Sequence, residues 1–150
     1  MLAAVGIVIR VRFSGTPMAA PSPSASFSDS LIPGDASRFV GDITFPDGAK
    51  VKVKVNQRFD EVWALANVGK VAWHKRFLAP TNPTGEGGCL VPERVATGDT
   101  PPGEQVMITV PVVAPSRPGK CMVSWKMVDE HGQPYFPSRR PVYLLVSVIA

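Results

Sequence analysis

A chain of 150 residues, 45% hydrophobic and 19% charged, has the length of one domain and enough apolar sequence to bury a core without staples. Its net charge of +4 is spread thinly: residues 39 to 150 carry 13 Lys and Arg against 10 Asp and Glu, too small an excess for a nucleic-acid footprint. Two histidines and two cysteines, neither pair closely spaced, argue against a zinc site.

The chain opens on an apolar run, Leu2 to Ile9, well short of the roughly 20 residues a transmembrane helix needs. Arg10 and Arg12 follow the run, whereas a signal peptide carries its charge before it. Three readings stand for residues 1 to 13: the truncated end of a membrane anchor, a misplaced translation start, or a short strand. The first is preferred, because residues 14 to 37 form a Ser-, Pro- and Ala-rich spacer of the kind that holds a domain off a surface. This spacer lacks the apolar content to offset its own ordering entropy. The folded domain is expected over 38 to 150.

From Phe39 onward the pattern is one of short strands separated by Pro and Gly, with candidates at 39–45, 49–55, 58–66, 71–79, 90–95, 105–113, 120–128 and 142–149. Pro46-Asp47-Gly48 supplies the first turn. Lys50, Lys52 and Lys54 alternate with Val51, Val53 and Val55, so three ammonium groups share one face of the second strand, as on a solvated edge guarded against pairing. In the third, Phe59, Trp63 and Leu65 share one parity and therefore one face, and Asn67 and Gly69 provide the turn before Trp73. Ala79 to Gly88 has no apolar periodicity and reads as a mobile loop available for contacts.

Later strands repeat the alternation. Val106, Ile108, Val110 and Val112 alternate with Met107, Thr109, Pro111 and Val113, and the proline argues for an edge strand or a bulge. After Pro118-Gly119, the residues Cys121, Val123, Trp125 and Met127 fall on one face. The turn at Asp129 to Gly132 is polar hairpin chemistry. Val142, Leu144, Val146 and Val148 close the set. No window shows a helical stripe, and turn signals about every ten residues point to an all-β sandwich of two sheets.

His74 reads as a surface residue and His131 as part of a turn. Cys121 lies inward beside Trp125, where a thiol is an inert core residue. Asp60-Glu61 and Asp129-Glu130 are sequence neighbours whose side chains diverge, so paired carboxylates across a cleft are not expected. No catalytic residue, cofactor or metal is therefore assigned. Cys89 and Cys121, 32 positions apart, have two readings: a loop-closing disulfide in an oxidising compartment, or two free buried thiols. Trp63, Leu65, Trp125 and Met127 are expected in the core. Trp73, beside a turn and charged residues, is carried as a candidate contact, together with Tyr135, Phe136, Arg139 and Arg140, whose aromatics and guanidiniums suit an interface. The competing reading of the latter group is that Phe136 plugs the sandwich end and the arginines are solvated.

The clauses Phe59 to Trp73 and Pro118 to Gly132, with Pro46-Asp47-Gly48, Ala114-Pro115 and the Gly132 and Phe136 turn, resemble the Ig-like domain named for four tryptophans, the central domain of the autophagy receptor Nbr1. The resemblance is to its bacterial members and covers about residues 38 to 150. Two positions depart from it: Val142 and Tyr143 stand near the fourth tryptophan, and Asn56-Gln57 replaces a Pro-Gly. The resemblance implies an immunoglobulin-like β-sandwich of seven or eight antiparallel strands. It also implies a non-catalytic module that recruits another protein or peptide, with membrane contact only through an N-terminal anchor and no nucleic acid. The alternative function is an extracytoplasmic carbohydrate- or envelope-binding module, which requires exposed, coplanar aromatics. An extracytoplasmic, tethered location is preferred over the cytoplasm.

Overall fold

Eight strands follow one another without an intervening helix in the computed structural model, which describes residues 30–46, 51–82 and 88–150. They are β1 (Ser37–Asp42), β2 (Val51–Lys54), β3 (Arg58–Asn67), β4 (Phe77–Pro80), β5 (Val95–Ala96), β6 (Gln105–Val113), β7 (Gly119–Val128) and β8 (Val142–Ile149). A three-stranded sheet has the order β1-β3-β6, and a five-stranded sheet the order β2-β8-β7-β4-β5. Residues 1–13, most of the 14–37 spacer, Asp47 to Lys50 and the centre of the 79–88 loop lie outside the described residues.

The core is where the period-2 alternation puts it. Ile108, Val110 and Val112 of β6, Cys121, Val123, Trp125 and Met127 of β7, and Leu144, Val146 and Val148 of β8 are buried, whereas Met107 and Leu145 are exposed. Trp63 of β3 meets Trp125 of β7 edge to face, centroids 4.7 Å apart, joining the two sheets at mid-core. Such a pair adds about 1 kcal/mol beyond the area it buries. Pro111 lies on β6, an edge strand of its sheet, where a missing N–H leaves no ladder bond unmade.

Three expectations need correction. One pairing is parallel: Val51 to Lys54 of β2 lies in register beside Val146 to Ile149 of β8. The chain changes sheets between β1 and β2, so β2 cannot fold back on β1 and instead joins the open edge of β8. The strand expected over 71–79 exists only from Phe77, because Trp73 makes a single bridge to Thr100 and Lys75 takes a positive φ of 51° that interrupts extended chain. The strand expected over 90–95 shrinks to Val95–Ala96, with Leu90 bridging Val113 before Pro92 interrupts the run.

Residues 30–37, placed in the spacer from sequence, belong to the folded body. Asp35 is 1% exposed, and Ser37 already opens β1. Lys70 N–H donates to the Gly34 carbonyl at 2.7 Å and Val68 N–H to the Ala36 carbonyl at 3.2 Å, which straps this segment across the turn after β3. A Cβ on Gly69 would overlap the Gly34 carbonyl oxygen and the Ala36 amide, so the strap needs glycine there. Composition missed this because the segment contributes a buried charge and backbone bonds instead of apolar side chains.

Candidate functional site

The candidate contact residues divide into two groups once placed. Trp73 is fully buried; its indole Nε1 donates to Asp35 Oδ1 at 3.2 Å, and its backbone exchanges bonds with Thr100 at 3.0 and 3.1 Å. The expectation of an exposed contact fails there, because a buried carboxylate from outside the expected domain supplies the partner an indole needs. Arg76, also buried, donates through Nη1 to Asp35 Oδ2 at 2.9 Å, and Ser30 Oγ donates to the same oxygen at 2.9 Å. The guanidinium lies 3.8 Å from the Tyr135 ring centroid and 5.6 Å from that of Trp73, so it is held between two aromatic faces. Burial in this cluster pushes the Tyr135 phenol above its usual range. Tyr135 is half-buried and serves chiefly as a lid on the ion pair. Phe136, 6% exposed, closes the core beside it.

Arg139 and Arg140 form the second group, and both are exposed. Arg139 Nη1 donates to the Ser37 carbonyl at 2.8 Å and lies within 3.4 Å of its hydroxyl, spanning from the 136–141 turn to the free edge of β1. Arg140 has no hydrogen-bond or ion-pair partner among the described residues. Between them and the edge of the three-stranded sheet runs a groove of about 320 Å³, walled by Phe39, Trp63, Val142 and Tyr143 with Asp42 at one side. Phe39 and Tyr143 are 48% and 62% exposed, so aromatic faces and cationic groups point into the same open space. Tyr143 is a wall of the groove. A smaller cavity of about 90 Å³ continues beneath Arg139 toward Phe136 and Leu78.

Sequence reasoning expected no paired carboxylates, yet the fold makes one pair. Glu61 shares the inward parity of Phe59, Trp63 and Leu65 and is fully buried, with Oε1 accepting from the Val62 amide at 3.1 Å and Oε2 unpartnered. Burial first, and then the neighbouring Asp42 carboxylate, push its pKa up to about 8. The signal was present as an acidic residue at an inward position of a strand. What hid the partner was its placement on β1, far away in sequence.

Cys89 and Cys121 are joined in a disulfide, Cα atoms 5.8 Å apart, which ties the segment entering β5 to the start of β7. His74 Nδ1 stands 3.3 Å from Asp99 Oδ1 in an exposed pair, and Asp129 Oδ1 accepts from the His131 and Gln133 amides within its turn. Those two amide bonds hold the Asp129 carboxyl below its usual range. No cluster of three or more His, Cys, Asp or Glu suited to a metal occurs among the described residues.

No curated protein matches the chain. The family model described as the Ig-like domain from next to BRCA1 gene matches residues 44–148. That span takes in β2 to β7 and nearly all of β8, and so the five-stranded sheet, two strands of the three-stranded sheet and the tryptophan core fall within it, whereas β1 precedes it. The chain belongs to this family of Ig-like domains.

Proposed function

We propose that the domain is a non-catalytic interaction module that recruits a protein or peptide through the groove between β1 and the 136–143 segment. The observation that carries this reading is the convergence of two exposed aromatic walls, Phe39 and Tyr143, with the unpartnered Arg140 on one cavity of about 320 Å³. Aromatic and arginine side chains dominate the energetics of protein interfaces, and a pocket already formed needs little reorganisation to bind. Arg139 and Ser37 bridge the groove's two sides, and Tyr135 and Phe136 do not line it.

The carbohydrate- or envelope-binding alternative requires exposed, coplanar aromatics, and Trp63, Trp73 and Trp125, all at most 1% exposed, do not supply them, which favours the protein-binding reading. An oxidising, extracytoplasmic location remains our reading, supported by the Cys89–Cys121 bridge.

The test is an affinity capture from the native host with the 150-residue chain beside Arg140→Glu and Tyr143→Ala. Both positions are exposed, so folding is expected to survive. A partner bound through the groove is retained by the wild type and lost, by at least about tenfold, from both variants. Identical capture by all three chains rejects the groove.

A further inference from the structure

The outer face of the five-stranded sheet has a composition its counterpart lacks. Its strands contain four lysines, Lys52, Lys54, Lys120 and Lys126, and no Asp or Glu. Between the lysines lies an apolar strip. Met122 stands opposite Leu145 and Ser124 opposite Tyr143 on the β7–β8 ladder, with the three large side chains 38%, 45% and 62% exposed. Lys120 flanks Ser147 on one side of that strip, and Lys52 flanks the same Ser147 from β2. Lys126 is already held by the Pro137 carbonyl through its Nζ, leaving Lys52, Lys54 and Lys120 as the cations without partners among the described residues.

We infer that this face is a second docking surface, which meets the groove at Tyr143 but is otherwise built from Met122, Leu145 and the lysines, and that its occupant is an acidic amphipathic helix of a partner protein. Backbone geometry selects the helix. β7 and β8 are interior strands whose hydrogen bonds are satisfied on both sides, so an incoming strand finds no edge here. Only an element that satisfies its own backbone can lie across the face, as helices do on sheets. β8 has eight residues and extends about 26 Å, the length of a helix of about 18 residues.

Charge selects the partner. A second copy related by a twofold axis would set lysines against lysines. The chain's own residues 1–29 carry Arg10 and Arg12 against Asp29 alone, so they add positive charge where negative is needed. A helix with an apolar stripe at i, i+3, i+4 and i+7 and carboxylates on its flanks matches both the Met122–Leu145–Tyr143 strip and its lysine rim.

The experiment is an amide-resolved NMR titration of the full chain with a synthetic helix of about 18 residues, Leu on one stripe and Glu on its flanks. A peptide of the same composition with the stripe scrambled and phosphatidylserine vesicles are titrated in parallel. The striped peptide is expected to shift amides of β2, β7 and β8. Its affinity should fall about tenfold in Leu145→Ser and in the double variant Lys52→Glu, Lys120→Glu, and stay unchanged in Arg140→Glu. Equal binding of the scrambled peptide, shifts confined to the groove, or binding of vesicles alone each overturns the inference. Because Arg140→Glu reports on the groove and Lys52→Glu on this face, failure of one reading leaves the other standing.

Discussion

Glu61 shows what a single residue does when strand parity turns it inward. A carboxyl with a pKa near 8 in the folded state and 4.5 when free binds more protons folded than unfolded between those values. Its contribution is therefore fully present below pH 4.5 and is lost as pH rises through about 8. Between pH 5 and 9 the unfolding free energy should fall by an amount on the order of 4 kcal/mol that Glu61→Gln abolishes, because the amide keeps Oε1 for the Val62 N–H and carries no charge beside Asp42. Urea midpoints across that range measure it, and parallel profiles for the two chains would contradict it. Other inward residues were legible by parity alone: Trp63, Leu65, Trp125 and Met127 are buried as their alternation requires. Trp73 was not, since it sits in irregular chain where parity carries no information.

At the scale of elements, the turn after β3 decides how the first described residues are held. Asn67 Nδ2 donates to the Val71 and Thr100 carbonyls at 2.8 and 2.9 Å while its Oδ1 accepts from the Gly69 amide at 3.1 Å, so one side chain organises the turn. Gly69→Ala must displace the Gly34–Ala36 backbone and is expected to cost about 2 to 3 kcal/mol, read from denaturant midpoints. Thermal stability equal to wild type would show that the strap is not packed as described. Asn67 and Gly69 were readable as a turn, and Asn56 takes a φ of 63° after β2, accommodating there a left-handed conformation that glycine usually adopts. What the turn packs against was not readable, because backbone-to-backbone approach leaves no side-chain pattern. Strand direction was equally hidden: Val51, Val53 and Val55 alternate identically in parallel and antiparallel ladders.

For the whole molecule, the domain boundary follows from one buried ion pair. Arg76 and Asp35 are 3% and 1% exposed, and removing one partner leaves the other charge uncompensated in the interior. A chain beginning at Ser30 should therefore unfold at the temperature of the full chain. One beginning at Arg38 should lose about 3 to 5 kcal/mol, with calorimetry as the measure. Equal stability of the two truncations would show that the ion pair and strap do not contribute. The two sheets differ in charge: Arg38, Asp42, Arg58, Asp60 and Glu61 mix both signs on the three-stranded sheet, whereas the strands of the five-stranded sheet carry lysine alone.

Sequence by itself determined the all-β class, most of the strand positions and the inward side of each long strand, because a two-residue period with Pro and Gly punctuation is local information. The tryptophan and turn clauses likewise sufficed for the family. Tertiary structure alone decided that β2 runs parallel to β8, that Asp35 neutralises Arg76, that Asp42 crowds Glu61, and that Phe39 and Tyr143 share a groove. Each of these joins residues distant along the chain, and no local pattern records which distant strand or charge a side chain will meet once two sheets close over a common core.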